Sequence, residues 1–246
     1  TGDTGVLTEQ DAQRLIGLIP PVNATPEEAA HPITAITYKS SKSGIYYVWG
    51  LKEWSMDKCP HKHLNIVYVQ CKDEMSLLNK FIIHWKNNTP DVITGWYIRL
   101  FDIPYIINRI RYLGGKAEVL SPFADIYKKT GTQSRGASFQ NKVRDEYVIS
   151  GVSQMDYIDL FQKLGYSYGP QESYTLDHIA NTILGERKLS YEEYGNLQDL
   201  YNNNHQLYID YNIKDVELVD KIDDKSGLMN LALTIAYKAG VNFPDV

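Results

Sequence analysis

A mixed α/β fold, a β-sheet flanked by helices, is what the sequence predicts, and three observations predict it. The stretch PITAITYKSSKSGIYYVWGL (32–51) alternates, turns at Ser43-Gly44 and alternates again, the pattern of a β-hairpin. Behind it, short apolar runs take turns with segments of helical spacing, as a sheet covered by helices requires. The last part of the chain, 196–240, is helical in spacing almost throughout.

The elements follow in order. Residues 1–8 are polar and glycine-rich and read as a frayed terminus. LTEQDAQRLIGLIPP (7–21) has two readings. As a helix, Thr8 caps, Asp11 closes a weak capping box, and Ala12, Leu15, Ile16 and Ile19 form one face. As a strand, only Leu15–Ile19 serves, ahead of the Pro20-Pro21 break; the local pattern prefers the helix. After the hairpin, HLNIVYVQC (63–71) is a third strand. The run KDEMSLLNKFIIHWKN, with its acidic first turn, is a helix over about 73–88. DVITGW (91–96) is a short buried strand, and a helix runs from about Pro104 to Leu113. Residues 116–142 are polar and weakly patterned, a hairpin or a loop. EYVISGVSQMDYIDLFQKL (146–164) gives a strand and a short helix, and YTLDHIANTILG (174–185) is a helix closed by Gly185. No internal repeat and no linker divides the chain, so one globular domain is expected.

Composition narrows the function classes. The chain has 246 residues, 43% apolar and 22% charged, ample for a packed core. Its net charge of −5 argues against a module that binds nucleic acid by neutralising phosphates, though not against an enzyme that grips a few nucleotides in an acidic metal site. Nineteen tyrosines against six phenylalanines suit half-buried positions where a ring packs and a hydroxyl meets a polar partner or a ligand. Two cysteines, Cys59 and Cys71, define no disulfide framework, and a reducing cytoplasm is the simplest setting. No apolar run reaches membrane length.

Two stretches carry chemistry. ITGWYIRLFDIPYIINRI (93–110) sets Asp102 between Phe101 and Ile103, just before a helix. A carboxylate among apolar neighbours calls for a counter-charge or a metal. In YIDYNIKDVELVDKID (208–223), Tyr211 and Asp215 lie four apart on one helical face, a phenol above a carboxylate that can hold a metal and orient an attacking water. Alone, that stretch reads as a solvated acidic face relieved by Lys214 and Lys221.

Together the two stretches resemble the second and third motifs of the proofreading 3′–5′ exonuclease domain of family-B DNA polymerases, especially those of T-even-like bacteriophages. PEEAAHPITAITY (26–38) resembles the early strands of that family, and SQMDYIDLFQKL (153–164) with ESYTLDHIA (172–180) resembles the segment between its motifs. The likeness runs in order from about Pro26 to Val246, leaving 1–25 as an atypical N-terminal segment ahead of an exonuclease-like 26–246. It implies a ribonuclease-H-like mixed sheet, with Asp102, Tyr211 and Asp215 catalytic and Asp102 and Asp215 holding Mg²⁺ or Mn²⁺. Tyr97, Arg99 and Phe101 would contact substrate. The implied partners are a single-stranded DNA 3′ end and the remainder of a polymerase chain, in the host cytoplasm if from a phage. No stretch resembles the polymerase palm motifs, and the end at VNFPDV reads as a cut ahead of the next polymerase domain.

The chain also departs from that pattern. The family's first motif is an Asp-x-Glu pair on a strand; counted back without gaps it falls on Arg14 and Ile16, neither a metal ligand. Glu9-Gln10-Asp11 has the spacing in reversed order. Tyr97 stands where the family has Asn, and Arg99 where it often has an acid. Both would alternate on one strand face, and Arg14 and Arg99 beside Asp102 and Asp215 would replace ions with salt bridges. Hydrolysis is therefore expected to be weak or absent. A silent domain that binds single-stranded DNA or acts structurally, and a scaffold with an altered pocket, are the alternatives.

Lesser candidates carry blander expectations. CPHKH (59–63) fits no common zinc spacing and reads as a surface loop. Asp156 is expected to cap a helix and Asp159 to be exposed. Tyr157, Tyr168 and Tyr174 could stack on bases but are expected in core or rim packing, and His178 and His205 have no assigned role. LGERKLSYEEYG (184–195) is expected to be a solvated connection.

Overall fold

The structure, a computed structural model, describes residues 25–133 and 142–243. The two readings of residues 8–19, and Arg14 and Ile16 with them, lie outside the described residues.

The hairpin forms as expected: β1 (Ala35–Lys39) pairs antiparallel with β2 (Ile45–Gly50) in the register Thr37↔Val48. Gly44 supplies the left-handed backbone, φ +69°, that the turn needs. The third strand, β3 (Asn65–Gln70), runs parallel to β2, so the chain between them crosses back over residues 51–64. Helix α1 (Glu74–Asn87) starts where Asp73 accepts the Ser76 N–H at 2.7 Å. Its Leu77, Leu78, Phe81 and Trp85 recur at helical spacing and are buried, with Phe81 edge-on to Trp49 of β2 at 5.5 Å.

Strand β4 (Val92–Gly95) is followed by a turn and by α2 (Asp102–Tyr112), then by a hairpin of β5 (Ile126–Gln133) and β6 (Lys142–Ile149). The weakly patterned region 116–142 thus takes its hairpin reading over its second half. Strand β7 (Ser153–Asp156) returns parallel to β4, in a register that sets Gly95 beside Asp156, and runs directly into α3 (Tyr157–Leu164). Helix α4 (Leu176–Leu184) ends at Gly185, φ +71°, as expected. The helical tract after it is not continuous. It divides into α5 (Leu197–Asn203), α6 (His205–Ser226) and α7 (Leu228–Ala239), because Asn204 caps α6 and Gly227 adopts φ +65°.

Among the described residues the strands form three separate ladders, β1-β2-β3, β4-β7 and β5-β6, in a mixed α/β chain. Helix α6 joins the first two. Ile209 and Ile213 pack with Val48 under the hairpin, while Leu218, Val219 and Ile222 pack with α3, α4 and α7. The hairpin is tied to it by Thr34 and Tyr208, 2.6 Å between hydroxyls, and by Lys39 and Tyr46 on Asp220, at 2.5 and 2.9 Å. No described helix is long and apolar enough to cross a membrane.

Candidate functional site

A large cleft opens between β1, β4, the start of α3 and α6, and Asp102, Asp156, Asp215, Lys188 and Tyr97 line it. The expected strand through Tyr97 and Arg99 is not present: β4 stops at Gly95, and the chain turns at Tyr97, whose φ is +70°. A tyrosine in the left-handed region is strained by roughly 1–2 kcal/mol, and Asp156 offsets it. That carboxylate accepts the backbone N–H groups of Tyr97 at 2.8 Å and Arg99 at 3.0 Å, and it caps α3 through Ile158 N–H at 3.2 Å. Asp156 therefore caps a helix, as expected, and also shapes the turn that delivers Asp102.

Asp102 is the first residue of α2, two residues ahead of the expected helix start at Pro104. Its side chain is exposed within the cleft, among the protein atoms that line it. Desolvation by those surroundings, then the charges of Asp156 and Asp215, push it up to about 7, with Lys188 acting in the opposite direction. Asp156 is pushed up to about 6, first by burial, against the backbone amides that favour its charge. Asp102 and Asp215, far apart in the chain, thus meet electrostatically in one cleft.

Asp215 already has a cation. Lys188 Nζ lies 2.7 Å from its Oδ2, while Oδ1 is buried without a hydrogen-bond partner. Burial raises Asp215 and Lys188 opposes the rise. Tyr211 is buried, edge-on to Tyr191 at 5.2 Å, and its ring lies 4.9 Å from Lys188 Nζ. The connection 184–195 is thus not simply solvated: Lys188 and Tyr191 fold back onto α6, and Glu186 pairs with Lys214 and Lys221 at 2.6 and 3.0 Å.

The counter-charge expected from Arg99 goes elsewhere, because the turn at Tyr97 points its guanidinium at Glu146, 2.6 Å, and Asp159, 2.5 Å. Asp159 is accordingly half-buried and ion-paired instead of exposed. Phe101 packs on Tyr105, 5.7 Å between ring centres, against the core under α1 and α2. Tyr157 is buried with its hydroxyl on Asp223 at 2.8 Å, and Tyr168 and Tyr174 pack round Phe161. His205 is half-buried, stacked on Tyr208, and desolvation lowers it to about 4. His61 and Cys59 are buried rather than on a surface loop, with His61 held to Glu217 of α6.

Among the described residues no group of three or more His, Cys, Asp or Glu side chains is placed to hold a metal ion. The donors in the cleft fit one hard cation, which takes oxygen ligands: Asp102, repelled by two neighbouring carboxylates, and the orphaned Oδ1 of Asp215. Among the described residues they do not complete a site for two.

Without a cation, holding this charge in the cleft beside Asp156 and Asp215 destabilises the fold. Asp102 holds its proton more tightly folded than unfolded, so stability should fall as pH rises from about 4 towards 7. Asp102→Asn should lose less over that range. Melting temperatures in EDTA at pH 5 and pH 8 check this; parallel losses in both proteins would contradict it.

A mixed α/β domain with paired carboxylates in a deep cleft is the class that fold and site define. Residues 20–179 match the exonuclease domain of DNA polymerase family B. The chain is 35% identical to the DNA-directed DNA polymerase of Escherichia phage RB69 over 243 residues, 90% of this chain and 26% of that protein. It is 31% identical to the DNA-directed DNA polymerase of Enterobacteria phage T4 over the same shares. With the DNA polymerase delta catalytic subunit of Mesocricetus auratus it shares 35% over 122 residues, 48% of this chain and 10% of that one. The chain belongs to the exonuclease-domain family of family-B DNA polymerases. It spans about a quarter of the length of the phage relatives.

Sequence reasoning missed Lys188. The one signal available was its place in a charged segment shortly before the third motif, a pattern shared with any solvated loop.

Proposed function

We propose that this chain is a 3′–5′ exonuclease domain, ribonuclease-H-like in plan, in which removal of 3′-terminal nucleotides from single-stranded DNA is impaired. The observation that carries the reading is the pairing of Asp215 with Lys188 beside Asp102. The cleft keeps the two carboxylates at which the family's motifs point, and one of them is already neutralised.

Phosphodiester hydrolysis in such a cleft needs Mg²⁺ or Mn²⁺ to offset the charge on the phosphate and to make water more acidic, roles best divided between two ions. Asp102 and Asp215 Oδ1 are the side chains that would hold one. Tyr211 would steady the attacking water through its hydroxyl, with Lys188 against it. Tyr97 lines the cleft and would meet the terminal nucleotide, with Arg99 and Phe101 behind it. With Arg14 and Ile16 where ungapped counting puts the first-motif acids, the second ion would lack ligands unless Glu9 and Asp11 supplied them, and each tenfold of rate corresponds to about 1.4 kcal/mol of lost transition-state stabilisation. A polymerase chain would be the covalent partner of the domain.

A 5′-labelled single-stranded oligonucleotide incubated with Mg²⁺ or Mn²⁺ tests the reading. Slow shortening from the 3′ end, lost in Asp102→Ala and in Asp215→Ala, is expected. Rapid shortening would overturn the impairment. Salt-dependent binding with no shortening would assign the chain as a silent single-strand binder, and neither binding nor cleavage would sink the proposal.

A further inference from the structure

Arg99 is the point at which the turn after β4 meets three other elements. Its backbone N–H donates to Asp156 of β7 at 3.0 Å. Its Nη1 donates to Glu146 of β6 at 2.6 Å and its Nη2 to Asp159 of α3 at 2.5 Å. Asp156 and Asp159 lie three apart across the first turn of α3, so that turn holds both ends of the residue. Glu146 is the more enclosed of the two side-chain partners, 12% exposed against 35% for Asp159, and its charge depends more on Arg99. The residue after Glu146 faces the other side of the ribbon, and there the Tyr147 hydroxyl donates to Asn108 Oδ1 of α2 at 2.5 Å. The β5–β6 ribbon is thus gripped on both faces at one level, by Arg99 towards the cleft and by Asn108 towards α2.

We propose that Arg99 is a positioning residue that fastens the β5–β6 ribbon to the turn 96–101 and so fixes the cleft wall past which a single strand would reach Asp102. The fastening stands on the contacts alone; the role of the wall rests on the reading of the cleft as a single-strand site. Lys129, Glu146 and Val148 of the ribbon line the cleft together with Tyr97 and Asp102, so a shift of the ribbon against the turn changes its width. Arginine suits this role. Its planar guanidinium presents two nitrogens in fixed directions, and each meets a carboxylate from a different element, which the single nitrogen of a lysine does not reproduce. An acid at this position, which the family often has, would be repelled by both partners, so the fastening belongs to this chain's own sequence. Burial works against the guanidinium charge, but Asp159 and Glu146 outweigh it. Lys129 is exposed and lies directly opposite Glu146 in the ribbon, which gives the carboxylate a second cation when Arg99 is lost.

Hydrogen exchange, followed peptide by peptide by mass spectrometry, tests the fastening. Arg99→Met and Glu146→Gln should each speed exchange in β6 and in the turn 96–101 by about 2- to 10-fold, the range for one hydrogen bond or ion pair, and leave α1 unchanged. Arg99→Lys, which keeps one of the two pairs, should fall between. Anisotropy titrations with a labelled oligothymidine in EDTA test the wall. Glu146→Gln should bind it about 2- to 5-fold more weakly, because a loosened wall has to be ordered on binding. Charge alone predicts the reverse, since losing a carboxylate from the cleft favours phosphate. Unchanged β6 exchange in both Arg99→Met and Glu146→Gln overturns the fastening. Faster exchange with equal or tighter oligothymidine binding in Glu146→Gln upholds the fastening and refutes the positioning role of the wall. Faster exchange with no binding by any of these proteins, the natural chain included, upholds the fastening and refutes the single-strand reading of the cleft.

Discussion

Arg109→Met is expected to lower the unfolding free energy by about 3–5 kcal/mol, the cost of stripping one partner from a buried ion pair. Arg109 is fully buried in α2, and its Nε and Nη2 meet both oxygens of Glu74 in α1 at 2.7 and 2.8 Å. Its Nη1 donates to the Ala29 carbonyl at 2.8 Å, and Glu74 Oε1 also accepts the Ile33 N–H at 2.6 Å. One guanidinium therefore joins two helices to the segment leading into β1. Methionine fills a similar volume but leaves Glu74 charged in the core with a single backbone donor. Urea denaturation at pH 7 measures the loss, and the melting temperature should drop by roughly 2–4 °C for each kcal/mol. The double variant Arg109→Met, Glu74→Leu should recover much of it, since an apolar pair removes the stranded charge. A loss below about 1 kcal/mol for the single variant, the scale of an exposed pair, would contradict the account.

How much of this was legible depended on whether the determining interaction was local. The hairpin was readable because alternation and Ser43-Gly44 act within a few residues, and α1 because Asp73 caps it three residues from Ser76. Asp102 and Asp215 were singled out through ordered resemblance, and the cleft does bring them together. The turn at Tyr97 was not readable. ITGWYIRL alternates as a strand would, and only Asp156, contributed by β7, bends it after Gly95. The same bend sends Arg99 to Glu146 and Asp159. Lys188 was hidden for a related reason. GERKLSYEEYG has the composition of a solvated loop, yet its charges find partners on α4 and α6 that sequence spacing does not reveal. His61 and His63 were weighed as zinc ligands and as loop residues, while their actual partner is a single glutamate of α6.

That glutamate makes α6 a helix with two acidic faces of opposite fate. Asp215 looks into the cleft and keeps an unpaired oxygen; Glu217, two residues on and pointing away, is saturated. Its oxygens lie 3.1 Å from His61 Nδ1, 2.7 Å from His63 Nε2, 3.1 Å from Lys214 Nζ and 2.9 Å from Lys221 Nζ. Lys214 and Lys221 are also the cations that hold Glu186, so the crossover loop, α6 and the segment after α4 share one charge cluster.

Glu217→Gln should accordingly cost about 3–5 kcal/mol at pH 7, because it leaves buried cations facing a neutral amide. Burial by itself would raise the Glu217 carboxyl, but hydrogen bonds from His61, Lys221, His63 and Lys214 outweigh it and hold the group far below its ordinary range. A depressed folded-state value fixes the sign. The stabilisation is complete above the unfolded-state value of about 4.3 and is lost progressively as pH falls below it. The natural chain should therefore lose stability more steeply than Glu217→Gln between pH 6 and pH 3, and the gap between the two should narrow with acid. Lys39→Met, which removes a partly exposed partner of Asp220, serves as the comparison at no more than about 1 kcal/mol. Denaturant melts at several pH values decide the matter: equal slopes for the two proteins, or a Glu217→Gln loss no larger than that of Lys39→Met, would show that the cluster does not hold the crossover loop and the segment after α4 to α6.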